Sequence, residues 1–269
     1  MTTMGTLFFD IPLDALAVRM LTTAFVVMAV SWAVGAFGPV VGGALAGLPI
    51  ILGPGFYFLA AQTPTAFVAQ AASYALLSLC ATQFFVLAYI AMAGKQPPWV
   101  CLAYAVGAWL VAALVLQFLP AQPIVGVFMF IVATGVCRRI GRRFIVPEAS
   151  TRVSAGLGLL IVRGILAGIL VAVVTSAHHL LGSTGAGLLL AFPIGYTVVA
   201  VTIHQKMGAA SVVAMLHSAL LGTISLAGFC AVLANAIEHL TAHTALGVAL
   251  VASMSITVVI IFGKRISRR

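Results

Sequence analysis

Residues 66–93, AFVAQAASYALLSLCATQFFVLAYIAMA, run for 28 positions without one charged side chain. A helix needs about 20 apolar residues to cross the hydrocarbon of a bilayer. Comparable stretches fill most of the chain, and no other feature constrains its fold as strongly. Within lipid, backbone N–H and C=O groups find no water, so a spanning segment has to satisfy them internally. Of the 269 residues only 6% are charged and 63% are hydrophobic, against roughly 25% charged in soluble domains. The sequence therefore predicts an all-α polytopic membrane protein with little chain left for a soluble domain. The opening MTTMGTLFFD lacks a basic region, so no cleavable signal peptide is expected.

Displaced by 144 residues, the chain aligns with itself without a gap. Gly38, Gly43, Leu45, Pro49 and Ile50 fall on Gly182, Gly187, Leu189, Pro193 and Ile194, and Val18-Arg19 on Val162-Arg163. Across Leu13 to Phe118 against Leu157 to Phe262, 23 of 106 positions are identical. Chance in so Ala-, Leu- and Val-rich a chain gives roughly 10, which points to an internal duplication. Each copy holds four apolar segments, at about 16–37, 39–61, 66–93 and 99–119, and again at about 157–181, 183–204, 209–236 and 243–263. An unpaired segment, about 122–137, lies between them. The predicted organisation is a first four-helix repeat over 1–120, a linker helix and basic loop over 121–155, and a second repeat over 156–269. The odd central helix inverts the second repeat relative to the first. The expectation is nine transmembrane helices in a 4+1+4 inverted-topology repeat with interrupted second and seventh helices.

Charge provides an independent check. With the N-terminus outside, Lys95, Arg138, Arg139, Arg142, Arg143, Arg152, Lys206 and the tail GKRISRR all fall on the cytoplasmic side. Asp10, Asp14, Glu238 and Arg19 fall outside or at the outer edge. Basic residues gather in the cytoplasmic loops of membrane proteins, and one span more or fewer would scatter them. The formal charge of +9 is thereby read as topology rather than as nucleic-acid binding. The expected location is the inner (cytoplasmic) membrane, with the N-terminus outside and the C-terminus inside.

Two breaks stand where helices are expected, AGLPIILGPG in the second segment and AFPIGYT in the seventh. A proline inside a helix removes one ladder hydrogen bond and displaces another. Non-helical backbone at membrane depth persists only against protein or a water-filled cavity. Paired interrupted helices in inverted repeats are the sequence pointer to a transporter's midplane site; single prolines also simply kink membrane helices. The candidate binding residues at the breaks are Pro49, Gly53, Gly55, Pro193, Tyr196 and Thr197. In the third and eighth segments Gln70, Ser73, Tyr74 and Ser78 share a helical face that Thr82 extends. Ser73 pairs with His217 and Tyr74 with Ser218 across the repeat, which adds Ser73, Tyr74, Ser78, His217 and Ser218 to the candidate lining. Ser31 and Thr175 form a further matched pair. Small hydroxylic residues also simply join helices in membranes.

No Asp or Glu lies deep in a span, so histidine is the one proton carrier left in the pathway. His217 is its best placed example. Arg19 and Arg163, matched near the starts of their repeats' first helices, are candidate gates for an anionic solute, or else residues that snorkel to the headgroups. Cys80, Cys101, Cys137 and Cys230 lie in or at the end of apolar segments without ligand spacing, and no metal, cofactor or disulfide is expected. Neither a phosphate loop nor a dinucleotide fingerprint occurs.

The layout resembles that of carriers with inverted repeats whose broken helices meet at midplane, sodium/proton antiporters and bile-acid-type symporters among them. It is an analogy of layout, and fold alone does not confer function. The function expected is a secondary transporter or facilitator, not an enzyme. It would move a small anionic or neutral polar solute by alternating access, with H+ or Na+ as candidate coupling ions and the lipid bilayer as its surroundings. The alternatives are a membrane-embedded enzyme or flippase acting on a lipid-linked substrate through His178, His179, Glu238, His239 and His243, and a non-catalytic membrane subunit. The unpaired helix either sets topology or offers a homodimer face.

Overall fold

A computed structural model describes residues 13–36, 49–146 and 157–266. Among them every regular element is helical and no strand occurs. The helices are α1 (Leu13–Ala36), α2 (Leu52–Ala60), α3 (Thr65–Ala93), α4 (Pro98–Leu116), α5 (Pro123–Gly141), α6 (Leu157–Ser176), α7 (His178–Leu190), α8 (Ile194–Ala236) and α9 (Ala242–Ile266).

Prolines and glycines set the boundaries. Pro64, in extended backbone at φ −58° and ψ 152°, precedes α3, and Gly94 follows it. Pro98 and Pro123 open α4 and α5, where a missing N–H costs nothing because first-turn donors have no helical partner. A 3-10 turn over Arg142–Phe144 closes α5. Within α8, Gly208 adopts φ 82° and ψ 177°, a region that only glycine enters without strain. It separates a segment over 194–207 from a second over 209–236.

α3 is the axis of the bundle and packs against α4, α5, α7 and α8. Consecutive residues such as Ala75, Leu76, Leu77, Ser78 and Leu79 are all buried, so α3 is enclosed on every side, as an all-round apolar helix in a large core should be. α1 lies against α6, and α9 against α8. Exposed apolar side chains cover the outer helices, among them Trp99 and Val111 on α4 and Phe128 and Ile131 on α5. On a soluble protein such a surface would aggregate; on this one it meets acyl chains.

Among the described residues six helices are long and apolar enough to cross a membrane, and the chain is a multi-pass helical membrane protein. The nine expected spans meet three limits. α2 has nine residues, about 14 Å of helix against a hydrocarbon core of about 30 Å. α7 and α8 run on as a single apolar stretch, His178–Ala236. Residues 37–48, in the expected second span, lie outside the described residues. Gly208→Ala forces a side chain into glycine-only backbone and is expected to cost about 1–3 kcal/mol, read as a lowered Tm in detergent.

Candidate functional site

Pro49 and Pro193 both lie in non-helical backbone. α7 ends at Leu190, α8 begins at Ile194, and Ala191 to Pro193 between them leave the helical path. Broken helices strand carbonyls on one side and N–H groups on the other. Here the carbonyls are taken up one by one. Ala191 N donates to Gly187 O at 3.4 Å and Phe192 N to Leu189 O at 3.0 Å. The Ser78 hydroxyl reaches from α3 to donate to Leu188 O at 2.8 Å. On the α8 side, Ile194 N donates to Phe192 O at 2.8 Å, and Thr197 N to Pro193 O at 2.9 Å. The Thr197 hydroxyl donates to the same carbonyl at 3.0 Å. The N–H groups of Gly195 and Tyr196 are left ahead of the first ladder bond. At the other break, Gly53 N donates to Pro49 O at 2.6 Å and Gly55 N to Ile51 O at 3.2 Å.

Both breaks face one cavity of about 270 Å³. Pro49, Ile50, Ile51 and Leu52 form one wall, and Leu190, Ala191, Phe192, Pro193, Gly195, Tyr196 and Val199 the opposite one. Leu79 and Thr82 of α3, Met215 and Leu226 of α8 and Arg163 of α6 complete it. Arg163 is the only charged residue in this lining, and its Nε is sealed from solvent without a hydrogen-bond partner. Its guanidinium sits beside the start of α8, where a Cβ added at Gly195 would stand 3.4 Å from Nη2. The two lining hydroxyls are already committed as donors: Thr82 to Ser78 O at 3.1 Å and Tyr196 to Ala219 O at 3.5 Å. Two helix N-termini, of α2 and α8, converge on this space and add partial positive charge to that of Arg163.

Of the residues singled out in the sequence, Pro49, Pro193, Tyr196 and Arg163 line the cavity. Gly53 and Thr197 contribute the backbone and hydroxyl bonds of the two helix starts. Gly55 lets α2 approach Leu190, whose Cδ2 would stand 2.6 Å from an added Cβ. Ser78 steadies the α7 terminus from behind the cavity. The remaining positions go elsewhere. Ser73 is buried and bonds Ala69 O within its own helix at 3.0 Å. Tyr74 packs where α7 crosses α3; at that crossing a Cβ on Gly187 would overlap the Ala71 carbonyl oxygen and stand 2.9 Å from Tyr74 Cβ.

His217 is buried and its Nε2 lies 3.2 Å from Arg138 O, at the end of α5, while Ser218 is exposed. The matched polar face of α3 and α8 is therefore divided among several contacts. Arg19 is likewise outside the cavity: its Nη1 donates to Thr175 Oγ1 at 3.4 Å and Thr175 O at 3.5 Å, and its guanidinium lies 5.9 Å from the Phe58 ring centre. Arg19 and Arg163 occupy matched sequence positions in different surroundings. Ser31's side chain lies outside the described residues. The apolar lining residues Leu79, Val199, Met215 and Leu226 carried no signal in a chain so rich in Leu, Val and Met.

His243 packs against Tyr57 at 5.9 Å, and His178 against Phe67 at 6.0 Å and against His179 at 5.8 Å. Among the described residues no three His, Cys, Asp or Glu side chains gather to hold a metal. Fold and site together define a polytopic helical membrane protein with a small cavity between the non-helical residues at Pro49 and those at Pro193. The chain matches no family model, no characterised protein and no solved structure.

Ser78→Ala leaves the Leu188 carbonyl without its donor. The expected loss is about 0.5–2 kcal/mol, the range of hydrogen bonds between membrane helices, measured as a lower thermal midpoint in detergent.

Proposed function

We propose that the protein is a secondary transporter or facilitator that moves a small anionic or neutral polar solute by alternating access at the crossing of its two broken helices. One observation carries this reading: a single cavity is walled jointly by Pro49–Leu52 from the first half of the chain and Leu190–Tyr196 from the second. Non-helical backbone at membrane depth is tolerated where it lines such a space, and transporters built from inverted repeats bind substrate there.

Element bounds and packing support the repeat on which the reading depends. Displaced by 144, Thr65–Ala93 covers 209–237, beside the 209–236 segment of α8. Pro98–Leu116 covers 242–260, within Ala242–Ile266. The helix starting at Leu13 covers the one starting at Leu157. The packing exchanges in the same way. α1 meets its counterpart α6, α3 meets its counterpart in α8, and the contact of α2 with α9 is mirrored by that of α8 with α4. A pseudo-twofold relating four helices to four, with α5 as the unpaired ninth span, accounts for these pairings. In this reading the units are 1–120, 121–155 and 156–269, the N-terminus is outside and the C-terminus in the cytoplasm of the inner membrane. Rocking of one half on the other opens the cavity to each side in turn, and H+ or Na+ are the candidate coupling ions.

The rival enzyme or flippase would draw on the outer histidine group. Of that group, His178 and His243 pack on aromatic rings, whereas the residues around both prolines line a common space. Val199→Cys places a thiol on the cavity wall, and the four native cysteines are all buried. In right-side-out and in inverted vesicles, this thiol is expected to react with a membrane-impermeant maleimide from both sides. Reaction from one side only, with or without solutes, removes alternating access. Pro49→Ala and Pro193→Ala are expected to slow solute uptake into proteoliposomes at least tenfold.

A further inference from the structure

We infer that the solute is a small monocarboxylate with an apolar body, its carboxylate held by Arg163 and the exposed amides of Gly195 and Tyr196. The inference rests on the transporter reading and narrows its substrate from "anionic or neutral polar" to one chemical class. Three features of the cavity carry it: its charge, its donors and its walls.

The lining contains one cation and no acid. Arg163 is half-buried, and its solvent-sealed Nε has no partner, an arrangement that is costly unless an anion completes it. One positive charge balances one negative charge, so a dicarboxylate would carry its second charge into a wall of Leu, Ile, Val and Met. The guanidinium's planar fork suits the two oxygens of a carboxylate. It stands beside a helix start, where free amides add two more donors.

The donor count argues against sulfate or phosphate. Those anions present four oxygens in a tetrahedron and need donors all round. The hydroxyls of Thr82 and Tyr196 already donate to Ser78 O and Ala219 O, so the donors left in the lining are Arg163 and the backbone amides of the two helix starts. Away from it the walls are Leu79, Val199, Met215 and Leu226, a surface that desolvates a hydrocarbon group and offers a second polar end nothing. The volume, about 270 Å³, equals about nine water molecules at about 30 Å³ each. That suits a carboxylate on a short chain or a single ring.

Purified full-length protein in detergent is titrated by calorimetry at pH 8 with acetate, butyrate, benzoate, 2-naphthoate, succinate, sulfate and benzyl alcohol. Affinity is expected to rise from acetate through butyrate to benzoate and to fall for naphthoate. Succinate, sulfate and benzyl alcohol are expected to bind at least tenfold more weakly than benzoate. R163Q should lower benzoate affinity at least tenfold and R163K should restore part of it, in proteins that elute and melt as the parent does. Val199→Phe, which shortens the apolar end and keeps the anion site, should weaken benzoate more than acetate. That second variant serves where R163Q fails to fold.

Equal or tighter binding of succinate, sulfate or benzyl alcohol overturns the inference. So does an affinity indifferent to the apolar body, unchanged benzoate binding in R163Q, or no binding by any monocarboxylate. The transporter reading fails separately. If benzoate binds as expected but Val199→Cys labels from one side only, the substrate class stands and the carrier does not; if the label reaches both sides but succinate or an alcohol is the ligand, the reverse holds.

Discussion

An interrupted helix in a bilayer must find partners for the backbone groups it frees, and the centre of this molecule is organised around that demand. At the α7–α8 break the stranded carbonyls are satisfied by two tightened turns and by a hydroxyl sent across from α3, Ser78 to Leu188 O. α3 has to pass close behind α7 for that reach to succeed. Gly187 permits the approach, since any side chain there would overlap the Ala71 carbonyl. The break, the crossing and the burial of α3 are thus one arrangement, and the cavity is what remains on the open side.

That arrangement is unequal in charge. At the end of α7 the carbonyls of Gly187, Leu188 and Leu189 are taken up, while the N–H side of α8 and the start of α2 face the cavity together with Arg163. In a low-dielectric interior the helix termini and the guanidinium reinforce one another. As the proposed anion site, the cavity would select by sign first and by shape second. Its walls are almost wholly apolar, so what it offers beyond a single anion site is hydrophobic contact.

Matched sequence positions do not have matched environments. Arg19 and Arg163 correspond across the displacement of 144, yet one bonds Thr175 and lies over Phe58 while the other borders the cavity. Ser73 and His217 correspond as well, but Ser73 bonds within its own helix and His217 reaches the end of α5. Under the proposed transporter reading, two halves in different local states are what alternating access requires of any single conformation, since symmetric halves would hold both sides equally open or shut.

Sequence alone determined that the chain is helical, lives in lipid and is non-helical at Pro49 and Pro193, because those features follow from local chemistry: apolar runs, scarce charge, and a residue that cannot donate to the ladder. It also singled out Tyr196 as a lining residue and, separately, Arg163 as a candidate gate. It could not determine which face of α3 meets the break, because an evenly apolar helix carries no moment to orient it. The polar face from Ser73 to Ser78 was legible, but only Ser78 serves the break, and Ser218 turns outward. Tertiary packing decided that Arg163 is set against the α8 terminus while Arg19 is held by Thr175, since the difference between two matched arginines lies in the helices around them and not in their own spacing.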